Sequence, residues 1–422
     1  MIESRASAPS SVAVREVLRV AEVKIRPARL DCVDLLRGIV VVVMALDHTR
    51  DFFSGLRFAP EDLAHTTGPL FFTRFVTHFC APAFFLLAGM GGYLSLAQGK
   101  SVAEVSKFFF TRGLWLVFLD CTVVAVGWTF VFPFWFSGVL WALGWSMIVM
   151  AVLVYLPLPW VAGFGTAIVA GHNLLDGIKP EVFGNFAWLW LILDGHSVFS
   201  VDRWGDLFFV LFSVIPWVGV MALGYALGSL LRRKNWRRSV FAIGVALTVS
   251  FVILRVFHLY GNGPSDLGLR TPSSMGPWRV QATLPLTVMS FFDTLKYPAS
   301  LQFLLMTLGP CLIALAWLDK VNAERRLSRI LLVYGRAPLF YYVLHIYLIH
   351  FLAVWVAVAC HQRVAWLLHG GTMILSPPRG YGHNLPFIYL MWILVVTSLY
   401  RPCKWFGNLK KQNPDWWWLR YL

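Results

Sequence analysis

Charge is scarce in this sequence. Only 14% of its 422 residues are Asp, Glu, Lys or Arg, against roughly a quarter in ordinary soluble domains, while 58% are hydrophobic and the mean hydropathy is +0.67. That balance excludes a water-soluble globular fold. Acids are the scarcer sign: 21 Asp and Glu against 36 Lys and Arg leave a formal +15 at pH 7. On a soluble chain such an excess points to nucleic acid, whereas on a membrane protein it marks cytoplasmic loops. Cysteines are few and scattered. Cys32, Cys80, Cys121, Cys311, Cys360 and Cys403 stand singly, which argues against a zinc site or a disulfide framework and makes them small apolar packing residues. A cleavable signal peptide is also lacking: residues 1–31 are polar and basic, so the first apolar segment is expected to act as an uncleaved anchor. Heptads and fixed-period repeats are absent.

What the chain does have is long apolar stretches bounded by charge, Pro or Gly. Read as helices of about 20 residues, they fall at 35–53, 69–97, 108–132, 139–157, 160–175, 207–231, 239–260, 299–318, 330–358 and 385–402. The expectation is an all-α, polytopic membrane bundle of ten spans, with an eleventh left open at 183–199. Residues 261–298, rich in Gly and Pro (Pro264, Pro272, Pro277, Pro285), read as a long structured loop. With the N-terminus inside, 24 of the 36 basic residues fall on the inner side. The short loop Arg232–Arg238 carries much of that bias and sets an N-in/C-in orientation. Trp160, Trp204, Trp278, Trp405 and Trp416 to Trp418 sit at predicted helix ends, where amphipathic rings anchor in the headgroup layer. The chain divides into a basic arm (1–31), a membrane domain (32–403) and a basic, Trp-rich tail (404–422).

Ionisable groups inside spans are costly, and usually face a cavity or a partner. In the first span Arg37 and His48 are eleven residues apart, about 16 Å along one face and roughly 20° apart around it. Asp34 and Asp51 fall near the same stripe. Asp51 is placed to reach the His48 ring, and Asp47, pointing elsewhere, to pair with Arg50 or a neighbouring helix. An arginine suits a phosphate, a histidine suits proton abstraction or acyl carriage; the alternative is a snorkelling Arg37 and a His48 that caps the helix end. Arg74 and His78 share a face of the second span, with Arg74 open to Asp51 or to substrate. Asp120, two turns beyond Arg112, reads either as an orienter of His48 or as half of an interhelical pair. Pro338 should kink the ninth span and leave Tyr341 and Tyr342 on the face of His345, beside Arg336. Asp194, His196, Asp293 and Lys296-Tyr297 are candidates for an outer vestibule.

Several motifs occur together: Arg29-Leu-Asp31-Cys-Val-Asp34-Leu-Leu-Arg37-Gly38, Met44-Ala-Leu-Asp47-His48-Thr-Arg50-Asp51, Ala81-Pro-Ala-Phe-Phe-Leu-Leu-Ala-Gly89, Trp141-Ala-Leu-Gly-Trp-Ser146, Leu295-Lys-Tyr-Pro298 and Gly335-Arg-Ala-Pro-Leu-Phe-Tyr-Tyr-Val-Leu-His345. With them the chain resembles bacterial membrane proteins related to heparan-α-glucosaminide N-acetyltransferase. Arg37 and His48 also match the Arg-x10-His pattern of the wider transmembrane acyltransferase superfamily. The resemblance implies that Arg37 helps hold an acyl-CoA donor and that His48 is the transfer base or carrier. In the eukaryotic glucosaminide enzymes the position matching His48 looks like Asn and the catalytic histidine follows in the next loop, which makes His65 the second choice.

The resulting expectation is an acetyl-CoA-dependent acyltransferase of the bacterial inner membrane. It moves an acetyl or other acyl group from the cytoplasm to a glycan or amino-sugar acceptor at the outer face. Arg37 and Arg112 clamp the donor, His48 with Asp47, Asp51 and His345 performs the chemistry, and Arg74, His78, Asp120, Arg336, Tyr341 and Tyr342 complete the polar core. No metal and no nucleic acid enter; membrane lipid surrounds the bundle, and a homodimer is left open. The rival is a transporter or flippase for a polar lipid or glycan precursor, using the same charged helices as a conduit.

Overall fold

Asp31 and Asp34 in its first turn and Arg50 in its last complement the dipole of α1 (Asp31–Phe53), a 23-residue helix whose apolar centre is buried among others. The structure is a computed structural model that describes residues 30–195, 198–200, 207–262, 277–369, 377–413 and 415–421. The arm up to residue 29, His196, Trp204, Pro264 and Pro272 lie outside the described residues. Helices α2 (Gly68–Thr77) and α3 (Cys80–Ala97) follow, then α4 (Val102–Leu119), which a Ser101/Glu104 capping box starts. A π-helical turn, Asp120–Val124, carries α4 into α5 (Ala125–Thr129). After β1 (Trp135–Ser137) come α6 (Val139–Leu153), α7 (Leu158–Gly171) and α8 (Ala187–Leu193). Strands β2 (Val198–Ser200) and β3 (Leu207–Val210) precede α9 (Ile215–Gly228) and α10 (Trp236–Val256). The chain ends with α11 (Leu284–Phe292), α12 (Leu301–Leu318), α13 (Arg326–Gly335), α14 (Pro338–Ala359) and α15 (Leu385–Gln412).

Among the described residues seven helical stretches are long and apolar enough to cross a membrane: Gly68–Ala97, Val102–Thr129, Ile215–Arg232, Trp236–Val256, Leu301–Leu318, Pro338–Ala359 and Leu385–Gln412. The polytopic helical bundle expected from the sequence is present, and the chain is an integral membrane protein. The count of ten is not reached on length and composition, because α1 carries too many charges and α6 and α7 have 15 and 14 residues. Along α10, Phe241, Val245, Val249 and Val252 are all exposed at helical spacing, a stripe that suits lipid and not water.

Other differences have local causes. Residues 207–214 are not the start of a span: β3 pairs with β1 in parallel and with β2 antiparallel. In the segment 183–199 the α-helix among the described residues is the seven-residue α8, too short to cross, and β2 begins at Val198. The presumed loop 261–298 contains α11, capped by the Thr283 side chain with Pro285 in its first turn. The presumed ninth span is two helices, broken at Arg336-Ala337, with Pro338 opening α14. The tail boundary at 403/404 falls inside α15.

Glycines let helices touch. Gly38 on α1 faces the Leu331 carbonyl and Gly335 on α13 faces the Asp34 carbonyl, so the two backbones meet directly. Gly89 and Gly224 do the same between α3 and α9. Arg255, at the end of α10, is almost fully buried; its guanidinium donates to the carbonyls of Ser290, Phe291 and Asp293 and to the Asn262 and Gln302 side chains. It ties α10 to the last turn of α11, where unsatisfied carbonyls collect, and through the Gln302 side chain to the first turn of α12.

Candidate active site

The break at Arg336-Ala337 sets the direction of α14, which brings His345 against α1. His345 Nε2 lies 2.7 Å from His48 Nδ1, with the rings stacked at a centroid distance of 4.9 Å. His345 Nδ1 is 3.0 Å from the Tyr341 carbonyl oxygen, which can only accept, so this nitrogen carries the proton. His345 Nε2 is then an acceptor, His48 Nδ1 the donor to it, and His48 Nε2 is left with the lone pair. The tautomers are assigned from this hydrogen-bond chain.

Aromatic rings fix the pair. Tyr341 stacks on His345 at 5.2 Å, while Tyr342 meets the edges of both imidazoles, at 5.5 Å from His345 and 6.0 Å from His48. Trp128 stands edge-on to His48 at 4.7 Å. It is carried there by α5, which follows the π-helical turn; such turns recur at functional sites because they rotate the residues beyond them. The second histidine of α14, His350, is a packing residue, its Nδ1 2.8 Å from the Gly127 carbonyl and its Nε2 3.0 Å from that of Leu367.

His48 lines a cavity of about 630 Å³, together with Asp47, Arg50, Asp51, Arg74, Trp128, Lys296, Tyr297 and Tyr342. Along one wall runs an alternating chain of charges. Asp51 accepts from Arg50 at 2.6 Å, Arg50 reaches Asp47 at 2.9 Å, Asp47 accepts from Arg74 at 2.5 Å, and Arg74 Nε donates to Glu61 at 2.8 Å. His78 Nε2 lies 3.3 Å from the same Glu61 oxygen. Burial pushes the Glu61 carboxyl up, but Arg74 and the His78 hydrogen bond prevail and hold it well below the usual carboxylate range. The chain pins the 54–67 loop across α1 and α2.

Lys296 faces the same cavity. It is 6% exposed, its ammonium 5.0 Å from the Tyr297 ring centre, and it has no hydrogen-bond or ion-pair partner among the described residues. A cation buried in that way calls for an acceptor from whatever enters the cavity. Its charge acts on both His48 and Asp47.

The structure brings together His48, His345, Tyr341, Tyr342 and Asp47, but not every expected contact. Asp51 does not reach the His48 ring; Arg50 draws it away and His345 takes the place beside Nδ1. Arg74 pairs with Asp47 and Glu61 instead of Asp51. Asp120 orients neither His48 nor Arg112: its Oδ2 accepts from the Gly138 amide at 2.8 Å and so holds the start of α6. Arg336 lies away from the imidazoles, 3.1 Å from Asp31 and 3.8 Å from Asp34. His65 has a side chain 63% exposed, paired with Asp62 at 2.8 Å, and is not part of the cavity wall. Arg37 donates to Asp34 at 2.9 Å, and its charge acts on Arg112, which lies under Phe108 at 5.9 Å. Of the vestibule candidates, Lys296 and Tyr297 line the cavity and Asp194 and Asp293 do not. Burial, helped by the charge of Asp176, pushes the Asp194 carboxyl up to about 7. Sequence reasoning missed Glu61 and Trp128. Glu61 had a signal, an acidic pair Glu61-Asp62 just beyond the first span of an acid-poor chain; Trp128 had none. Among the described residues no group of three or more His, Cys, Asp and Glu is placed to hold a metal ion.

A polytopic helical membrane protein with a buried imidazole pair opening into a charged cavity is thus what fold and site define. The family described as "Heparan-alpha-glucosaminide N-acetyltransferase, catalytic" matches residues 29–257, more than half of the chain, and the protein belongs to that family. It is therefore a transferase of the membrane acetyltransferase type. The matched segment includes Arg37, His48, Arg74 and Asp120, whereas Lys296, Tyr341 and His345 lie beyond it. No curated protein matches the chain.

Proposed function

We propose that the protein transfers an acetyl group from cytoplasmic acetyl-CoA to a hydroxyl or amine of a glycan or amino sugar at the outer face of the bacterial inner membrane, with both termini inside. The observation that carries this reading is the His48–His345 pair, whose tautomer chain leaves His48 Nε2 as a base on the cavity wall. The acceptor gives its proton to His48 Nε2 as it attacks the thioester carbon. The carbonyl electron pair moves onto oxygen, where Lys296 donates a hydrogen bond to the developing negative charge. When that carbonyl re-forms, the C–S bond breaks and the CoA thiolate takes the proton from His48. His345 and the Tyr341 carbonyl keep His48 in the required tautomer; Asp47, locked between Arg50 and Arg74, fixes the helix end that carries it.

Arg37 and Arg112 would hold donor phosphates at the other end of α1, about 16 Å from His48 by helix rise. Their two charges already act on each other, which an anion between them would relieve. The test is transfer from radiolabelled acetyl-CoA to amino-sugar acceptors by the full chain in proteoliposomes. Saturable, acceptor-dependent transfer that His48→Ala abolishes supports the reading; solute movement without any need for CoA would replace it with the transporter.

A further inference from the structure

The end of the bundle away from His48 carries a second cavity, about 780 Å³, between α13 and the last turns of α15. Its walls change character along their length. On α13, Arg326 and Arg329 are followed by Ile330 and Val333; on α15, Val396 and Tyr400 are followed by Lys404 and Lys411. The two helices are joined by the Tyr334 hydroxyl, which donates to the Val396 carbonyl at 2.7 Å. Counted along each helix from that bond, the apolar residues Val333, Ile330 and Tyr400 come first and the basic residues Arg329, Arg326, Lys404 and Lys411 come last.

The charge at the basic end is not balanced from within. Arg336 is paired with Asp31, but Arg326, Arg329, Lys404 and Lys411 have no ion-pair partner among the described residues, and the other acid on the wall is Glu324. The start of α13 makes the excess sharper. Arg325 at its N-cap supplies no side-chain cap, the first turn has no acid, and arginines stand where the helix dipole is already positive. Cations there repel the helix end unless an anion satisfies both the free amides and the guanidinium groups. Trp405, 60% exposed, lies next to Lys404 and marks headgroup depth. On α15 the cavity straddles the change from apolar to basic sequence, the level at which lipid phosphates sit.

We propose that this cavity binds an anionic membrane phospholipid from the leaflet at this end, its phosphate held by Arg326, Arg329, Lys404 and Lys411 and an acyl chain laid along Ile330, Val333 and Val396. A small free anion would leave the apolar half without a partner. A nucleotide such as CoA shares the phosphate chemistry, so the experiment has to separate the two sources. This inference goes beyond the transfer reaction and stands whether or not that reading holds.

The experiment is native mass spectrometry of the full chain released from nanodiscs of mixed phosphatidylglycerol and phosphatidylcholine. The wild type should retain phosphatidylglycerol about tenfold over phosphatidylcholine. Lys404→Gln/Lys411→Gln, changed only at exposed positions, and Arg329→Gln should each lose most of that preference, while Lys404→Arg/Lys411→Arg keeps it. Equal retention of both lipids by the wild type would overturn the proposal, as would an unchanged preference in the Gln variants. Displacement of the lipid by coenzyme A, sensitive to the same substitutions, would assign the cavity to nucleotide phosphates instead.

Discussion

His48 Nδ1 and His345 Nε2 lie 2.7 Å apart although 297 residues separate them in the chain. Neither imidazole has a carboxylate as its orienting partner. The proton order is set by one backbone carbonyl, that of Tyr341, acting through His345. His48→Ala should therefore lower transfer by about 10²–10⁴-fold, the range for loss of a general base. His345→Ala should lower kcat less and leave the KM for acetyl-CoA nearly unchanged, and His345→Gln, which can still accept from Nδ1, should recover part of the loss. His65→Ala should stay within about twofold of the wild type. A dead His65→Ala beside an active His48→Ala would reverse the assignment.

Lys296 offers a second test of the same site. Removing one donor to a developing oxyanion costs about 10²–10³ in kcat. Lys296→Met should fall in that range with little change in acceptor KM, and Lys296→Arg should restore part of the rate because a cationic donor remains. A variant that loses only acceptor affinity would make Lys296 a reader of acceptor charge and not a participant in transfer.

How much of this was legible in the sequence depends on whether a contact is local. The membrane class, the shared face of Arg37 and His48 and the break at Pro338 follow from hydropathy, helix period and ring chemistry, all short-range properties. Glu61 and Arg74 were readable as charges but not as partners, since the 54–67 loop decides which acid meets which base. Asp51 misled for a related reason: spacing of three allows it to reach His48, yet the adjacent Arg50 lies closer and carries a full charge. Asp120 sits mid-span and suggests chemistry, but the amide it satisfies belongs to Gly138, at a helix start that no periodicity reveals. Joining α14 to α1 requires knowing that Gly38 and Gly335 meet, a tertiary fact that two isolated glycines do not announce.

Glu61 gives the fold an acid limb. Its folded pKa lies well below its ordinary value, so it adds stability that is fully present above the unfolded carboxylate range and is lost as pH falls through about 4.3 toward the folded value. Thermal unfolding in detergent should show the wild type losing stability across that window. Glu61→Gln should start less stable at pH 7 and show a flatter acid limb. A wild-type limb that persists unchanged in Glu61→Gln would place the titration elsewhere.

The crossing of α1 and α13 makes a prediction that joins packing to chemistry. A Cβ on Gly335 would meet the Asp34 carbonyl and the Gly38 amide, both backbone atoms that no rotamer change can move aside. The helices would have to separate, and overpacking of this kind costs typically 1–3 kcal/mol. Separation would also lengthen the Arg37 to Gly335 carbonyl contact at 3.4 Å and the Arg336 to Asp31 pair at 3.1 Å. Since α14 continues from this crossing after only two residues, His345 would be drawn from His48 as well. Gly335→Ala should thus lower both the thermal midpoint and kcat. Gly91→Ala is the matched control: it lies within α3, a Cβ there meets nothing within 4 Å, and the substitution gains about 0.5–1 kcal/mol of helix propensity. Equal stability of the two variants would show that the α1–α13 approach tolerates a methyl group, and that the imidazole pair is held by α14 alone.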